Sequence, residues 1–323
     1  MSDRYEELVA KLAAKPWNAA SIPDAVYRPV GMIGPEERRA LWWLARELLG
    51  DGAIVDAGCF VGASTFCLAA GAAASPRAAL RRGPIVHAFD HFAAIDEYVV
   101  QAIAQHFRPT KAGDSYLDIF EQQLSPHQGI VTAVAGDFAK ATWSGEPIDL
   151  LFIDIAKTDA LGAHVVGTFF SSLVPGRSAV VQQDFHHCWH PMIHVTMEYL
   201  AEEFVVLDEL IEHQSRLWLL KRPIPQEKIR RLAERRLDRV EQLALLDRLV
   251  DRSTGQSRPM MELVRAWHLV RDNRLDAAEA AIASLRSRLS LEMTESLCWA
   301  QTVQVEDYVR RLRAESLKHG VRS

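Results

Sequence analysis

Between Ala53 and Thr65 the chain reads Ala-Ile-Val-Asp-Ala-Gly-Cys-Phe-Val-Gly-Ala-Ser-Thr, a set of residue types whose spacing can hold a ligand. Ile54 and Val55 are β-branched and close a short apolar run, as a buried parallel strand does. Gly58 and Gly62 permit a tight backbone turn, and Ala63, Ser64 and Thr65 then open an apolar helix that runs to about residue 74. Strand, glycine turn and helix in that order make a nucleotide-sized crevice at the carboxyl end of a parallel sheet. The acid in the turn discriminates among ligands. A diphosphate wants backbone N–H groups and a helix N-terminus with no negative charge beside it. Asp56, followed by Ala57 and Gly58, would repel a diphosphate and attract a cationic amine. The spacing Asp56-x-Gly58-x-x-x-Gly62 also departs from G-x-G-x-x-G, and the Lys-[Ser/Thr] of a P-loop is absent.

A ligand with an ammonium, a sulfonium and an adenosine, but no phosphate, suits this loop; that ligand is S-adenosylmethionine. Acids also fall at the ends of the strand-like runs elsewhere, giving the series Asp56, Asp90, Asp137, Asp154 and Asp184. Packing alone seldom scatters carboxylates at strand ends, because burying an ionised one is costly. The segment 56–62 resembles the first motif of the class I methyltransferases, D/E-x-G-x-x-x-G. The resemblance implies that Asp56, Gly58 and Gly62 hold the methionine portion of the cofactor, with Ala57, Ser64 and Thr65 in the same site. It further implies that Asp90 takes the ribose hydroxyls and that Asp137 faces the adenine. The competing readings are a purely structural βα turn and, for Asp137, a cap on residues 138–140.

The elements that must position these residues follow from periodicity. Strands are expected at 53–56, 84–90, 130–135, 148–154 and 178–182, and helices at 4–15, 35–49, 63–74, 96–107, 113–124 and 159–173. Alternation at this density argues for a doubly wound sheet. Two further strand-like runs, 204–210 and 216–220, are joined by too few residues for a parallel crossover and must pair as an antiparallel hairpin. The expected architecture is α/β: a doubly wound, mostly parallel seven-stranded sheet with a terminal antiparallel hairpin, plus an all-α C-terminal extension. Helices are expected there at 226–250, 259–271, 275–288 and about 303–318, and the segment from Ala266 to Ala281 is similar to one unit of a helical-hairpin repeat. One unit does not make a solenoid. The domain boundaries read as 1–34 (N-terminal helical segment), 35–222 (methyltransferase domain) and 223–323 (helical domain).

Methyl transfer requires an aligned nucleophile that has lost its proton. The Asn-Pro-Pro motif of base-modifying amino-methyltransferases is missing after the fourth strand, where the chain has Asp154-Ile155-Ala156-Lys157. That segment, with Phe89-Asp90-His91-Phe92, resembles the catechol- and macrocin-type O-methyltransferases over about residues 30–221. The resemblance implies that Asp154 binds a divalent metal and that Lys157 is the general base. A second oxygen pair after strand five, Gln183 and Asp184, would complete a Mg²⁺ site, although Gln183 stands where a carboxylate is expected. Without a metal, Asp154 becomes a base or a substrate anchor, and a lysine beside an unneutralised acid keeps its proton too tightly to act as a base. His186, His187, His190 and His194 crowd the next segment; His186 or His187 is the expected polar contact or alternative base, against an exposed or capping cluster. Trp189 could stack on a sugar or belong to a core.

Composition sets the remaining bounds. In 323 residues, 49% are hydrophobic, 24% are charged and the formal net charge is −5, so no global field favours nucleic acid. The four cysteines form neither a C-x-x-C pair nor a zinc spacing. No apolar span is long enough for a bilayer and no signal peptide is evident, which leads to the expectation of a cytoplasmic protein. The expected function is O-methylation of a small hydroxylated acceptor such as a sugar, with neither nucleic acid nor membrane as partner and with a homodimer formed through the C-terminal helices. The alternatives are a catalytically inactive scaffold with a partner-binding helical tail, and a dinucleotide-dependent oxidoreductase, which would lack its glycine fingerprint here.

Overall fold

The computed structural model describes residues 3–212, 214–289 and 296–320. The chain begins with α1 (Asp3–Ala13), α2 (Pro35–Leu48), β1 (Ala53–Ala57), α3 (Ala63–Ala73), β2 (Val86–Asp90), α4 (Glu97–His106) and α5 (Leu117–Gln123). It continues with β3 (Val131–Ala135), β4 (Ile148–Ile153), α6 (Asp159–Phe169), β5 (Ala179–Gln182), α7 (Pro191–Tyr199), β6 (Phe204–Ile211) and β7 (Ser215–Leu220). Helices α8 (Gln226–Ala233), α9 (Arg239–Arg252), α10 (Ser257–Arg271), α11 (Leu275–Arg288) and α12 (Leu297–Gly320) follow.

The strands form one seven-stranded sheet in the order β3-β2-β1-β4-β5-β7-β6. The pairs among β1 to β5 are parallel, whereas β7 runs antiparallel to both β5 and β6. The expected architecture is therefore present, including the hairpin; position 213 in its turn lies outside the described residues. β1 and β4 are buried at every position, which is why both are apolar apart from single acids. The direction of strand addition reverses between these two strands, and that switch opens the ligand crevice beyond their carboxyl ends. α2 packs along α3, and Leu41, Leu44, Phe66 and Leu68 join the core there.

One expected helix is two. The span read as continuous over 226–250 breaks after α8, passes Arg235 in a left-handed conformation (φ 53°), and restarts at α9. The restart is fixed by a capping box: the Glu241 N–H donates to Asp238 Oδ1 at 2.8 Å, and the Asp238 N–H donates to Glu241 Oε2 at 3.1 Å. The signal, Asp-x-x-Glu before an apolar run, is legible in the sequence.

The chain forms two compact units, one of Met1–Gln183 with Glu202–Glu234 and one of Asp184–Ala201 with Arg235–Ser323. These limits differ from boundaries at 34/35 and 222/223. Leu12, Trp17 and Val26 from the N-terminal segment enter the core of the sheet-bearing unit. α7, in turn, packs on α9 and α10 in the helical unit. Among the described residues, no helix is long and apolar enough to cross a membrane.

Candidate active site

The carboxyl edge of the sheet ties the glycine turn to three strands. The Asp154 N–H donates to the Ala57 carbonyl at 2.8 Å, and the Gly58 N–H donates to the Phe89 carbonyl at 2.9 Å. This closeness explains both glycines. Gly58 has φ 95°, and a Cβ there would lie 2.8 Å from the carbonyl oxygen of Asp154. Gly62 has φ 100° as the residue before α3, and its Cβ would meet Leu124 at 2.5 Å and Phe120 at 2.8 Å. The turn needs glycine for its handedness and because other chain segments press against it.

Asp56 lies level with Ala88 of β2 and Phe152 of β4 and is 0% exposed. Its Oδ2 accepts from the Ser64 hydroxyl at 2.8 Å and the Thr65 hydroxyl at 2.6 Å, while Oδ1 has no partner among the described residues. Ser64 and Thr65 are thus the groups that orient the acid. Burial pushes the Asp56 carboxyl up to about 7, with the two hydroxyls pulling down and the charges of Asp154 and Asp90 pushing up. A cation brought to Oδ1 would favour the ionised form.

This burial has a pH signature. Folding raises the Asp56 value, so the native state binds more protons than the unfolded chain between about pH 4 and 7. The stabilisation is complete below the ordinary carboxylate value and is lost as pH rises through about 7. It is on the order of 4 kcal/mol for a shift of this size. Burial lowers His87, His127 and His268, whose contributions are lost instead as pH falls. The expected result is therefore a difference: Asp56→Asn unfolds in urea with a shallower decline in stability from pH 4.5 to 7.5 than the wild type. Parallel declines would contradict a buried, proton-binding Asp56.

Asp90 closes β2. Its Oδ2 accepts from the Phe60 N–H at 2.8 Å, and its Oδ1 accepts from the Phe92 N–H at 3.1 Å and the Tyr116 hydroxyl at 2.6 Å. Sequence reasoning missed Tyr116 and the Phe60 N–H, since no local pattern marks a contact across such a separation. Asp137 caps the 3₁₀ turn Phe138–Lys140 by accepting from the Ala139 N–H at 3.0 Å, and it is exposed. Its cap role is thus seen directly, beside the adenine role implied by resemblance.

Near the end of β4, Asp154 forms an ion pair with Lys157. Glu37, in the first turn of α2, accepts from the Ser215 hydroxyl, and its N–H donates to Glu212 Oε2 at 3.0 Å. Burial pushes the Glu37 carboxyl up to about 7, against the Ser215 bond and with the charges of Asp154 and Glu212 adding to the rise. Gln183 is buried and donates its amide to Gln214 Oε1 at 2.9 Å. This arrangement lends the expected Mg²⁺ site no support. An ammonium sits on the carboxylate of Asp154, and among the described residues no group of three or more His, Cys, Asp or Glu could hold a metal.

The rest of the expected site falls in the helical unit. Asp184 has φ 61°, and its carbonyl accepts from the His187 N–H at 2.9 Å. His186 is buried, with Nε2 2.9 Å from Ser257 Oγ, and His194 donates to the Phe185 carbonyl at 2.7 Å. His186 thus bonds to Ser257 of its own unit, while His187 and His190 are half-buried. Trp189 stacks edge-on with Trp267, their ring centroids 4.7 Å apart, as part of an aromatic cluster with Tyr308.

No family model and no curated protein matches the chain. Similar solved structures include the O-methyltransferase NovP, 15% identical, covering 59% of this chain and 82% of that one with a TM-score of 0.44. The calicheamicin methyltransferase CalS11 is 16% identical, with 68% and 93% covered and a TM-score of 0.44. A methyltransferase from Geobacter sulfurreducens is 16% identical, with 66% and 96% covered and a TM-score of 0.40. The strand order, with β7 antiparallel between β5 and β6, is the seven-stranded mixed sheet expected from the sequence.

Proposed function

We propose that this protein is an S-adenosylmethionine-dependent methyltransferase that modifies a hydroxyl of a small acceptor. One observation carries the reading: a fully buried carboxylate, Asp56, lies beside the glycine turn at the switch point of the sheet with one oxygen that has no hydrogen-bond donor among the described residues. A buried acceptor without a partner is costly, and a cationic amine is the donor that best relieves it. Asp90 retains acceptor capacity for a sugar hydroxyl, so the residues present fit the cofactor. S-adenosylmethionine, when bound, supplies a methyl group on a sulfonium that departs as a neutral thioether.

The chain's own residues do the rest. Asp56 and Asp90 hold and orient, and the turn at Gly58 to Gly62 keeps water from the methionine end. Asp154 is the acceptor-side group: it anchors the hydroxyl and takes its proton as the oxygen–carbon bond forms and the carbon–sulfur bond breaks. Lys157, ion-paired to it, holds the carboxylate in place rather than acting as the base. A net charge of −5 favours a neutral or cationic small molecule over a nucleic acid.

Thermal unfolding tests the reading. S-adenosylmethionine at a hundred times its dissociation constant should stabilise the fold by about 2.7 kcal/mol, and NADH should not. Protection by NADH alone would make the protein an oxidoreductase. Protection by neither would leave it a scaffold.

A further inference from the structure

The carboxylate at the end of β2 is engaged more fully than simple ribose binding demands. An ionised carboxylate offers about four acceptor positions, two on each oxygen. Oδ1 of Asp90 already receives the Phe92 N–H and the Tyr116 hydroxyl, and Oδ2 receives the Phe60 N–H. Among the described residues three positions are filled, and the open one is on Oδ2.

The three donors differ in kind. Phe60 (φ 48°) and Phe92 (φ 52°) donate main-chain N–H groups fixed by left-handed backbone at the turn and at the strand end. Tyr116 donates from a side chain that precedes α5 and is 3% exposed. Its ring packs edge-on against Phe60 at 5.5 Å and at 5.9 Å from Phe92. The hydroxyl cannot swing away without opening that aromatic cluster. At 2.6 Å to a carboxylate it is also a strong, charge-assisted bond.

We propose that Tyr116 makes ribose recognition one-sided: it keeps Oδ1 filled, so that the cofactor's sugar is read through a single hydroxyl at Oδ2. A carboxylate with two open oxygens would take both vicinal hydroxyls. The inference rests on the reading of Asp90 as the ribose acid, and it makes Tyr116 a specificity-determining residue that need not touch the ligand.

The test is calorimetric binding of S-adenosylhomocysteine and its 2′-deoxy and 3′-deoxy analogues to the full chain. In the wild type, one analogue should bind about 10- to 100-fold more weakly than the parent, the range for losing a hydrogen bond to a charged group, and the other within about twofold. In Tyr116→Phe, which keeps the ring packing, both analogues should weaken, because Oδ1 is open to the second hydroxyl. Equal losses for both analogues in the wild type would overturn the inference and leave Asp90 as the ribose acid. No binding of S-adenosylhomocysteine would overturn both. The wild-type comparison decides the matter even where the variant is unstable, and Asp90→Asn should erase the difference between the analogues.

Discussion

Asp56→Ala abolishes S-adenosylhomocysteine binding, whereas Asp154→Asn leaves binding within about threefold of wild type and stops methyl transfer: this is the expected division of roles. The first change removes the buried acceptor beside the glycine turn and leaves the Ser64 and Thr65 hydroxyls without their carboxylate. Both hydroxyls are enclosed, so each lost partner costs about 1–3 kcal/mol, and the start of α3 loses its anchor as well. The second change keeps the shape at the end of β4, and the main-chain bond from Asp154 N–H to the Ala57 carbonyl survives any side-chain replacement. It removes the proton acceptor and the ion pair with Lys157, which should lower kcat by about 10²–10⁴. Calorimetry and a methyl-transfer assay on both variants read the two effects separately. Loss of binding in both would place Asp154 in the cofactor site and end its assignment to the acceptor.

The second large effect is structural. Gly58→Ala should lower stability by about 2–4 kcal/mol and weaken S-adenosylhomocysteine binding more than tenfold, because two costs coincide. Alanine at φ 95° is strained, and its Cβ would press on the Asp154 carbonyl, which belongs to backbone and cannot rotate aside. Relief requires the turn to lift from the end of β4, which carries Asp56 and the Phe60 N–H out of register with Asp90. Urea unfolding and calorimetry check it; an alanine variant with wild-type stability would mean that the turn is loosely seated.

Much of this arrangement is legible in the residues. β1 and β4 announce themselves as short apolar runs because both of their faces are covered, and the run of alternating elements leads to the sheet. The hairpin follows from the few residues between Ile211 and Ser215. The acids at the strand ends are equally visible as types, but their partners are not. Nothing local in Tyr116 indicates that it will meet Asp90, and nothing in Glu37 indicates that Ser215 will donate to it, since both contacts depend on elements far apart in the chain. The break before α9 is signalled by Asp238 and Glu241, although the apolar periodicity runs on through it. The metal expectation gains no support for a different reason: the spacing from Asp154 to Lys157 specifies two residues on one turn, and it does not say that the ammonium will take up the carboxylate.

The route of the chain between the two compact units has a consequence for how the protein could be dissected. The helical unit is interrupted in sequence, with residues 184–201 contributing α7 and residues 235–323 contributing the other helices. Ending the polypeptide after α8 would therefore not peel away a self-sufficient appendage. It would strip α7 of its packing on α9 and α10 and leave Glu198 without Arg248 and Arg252. A shortened protein would carry an orphaned helix spliced between β5 and β6, so α7 and the helices that follow α8 must be kept together.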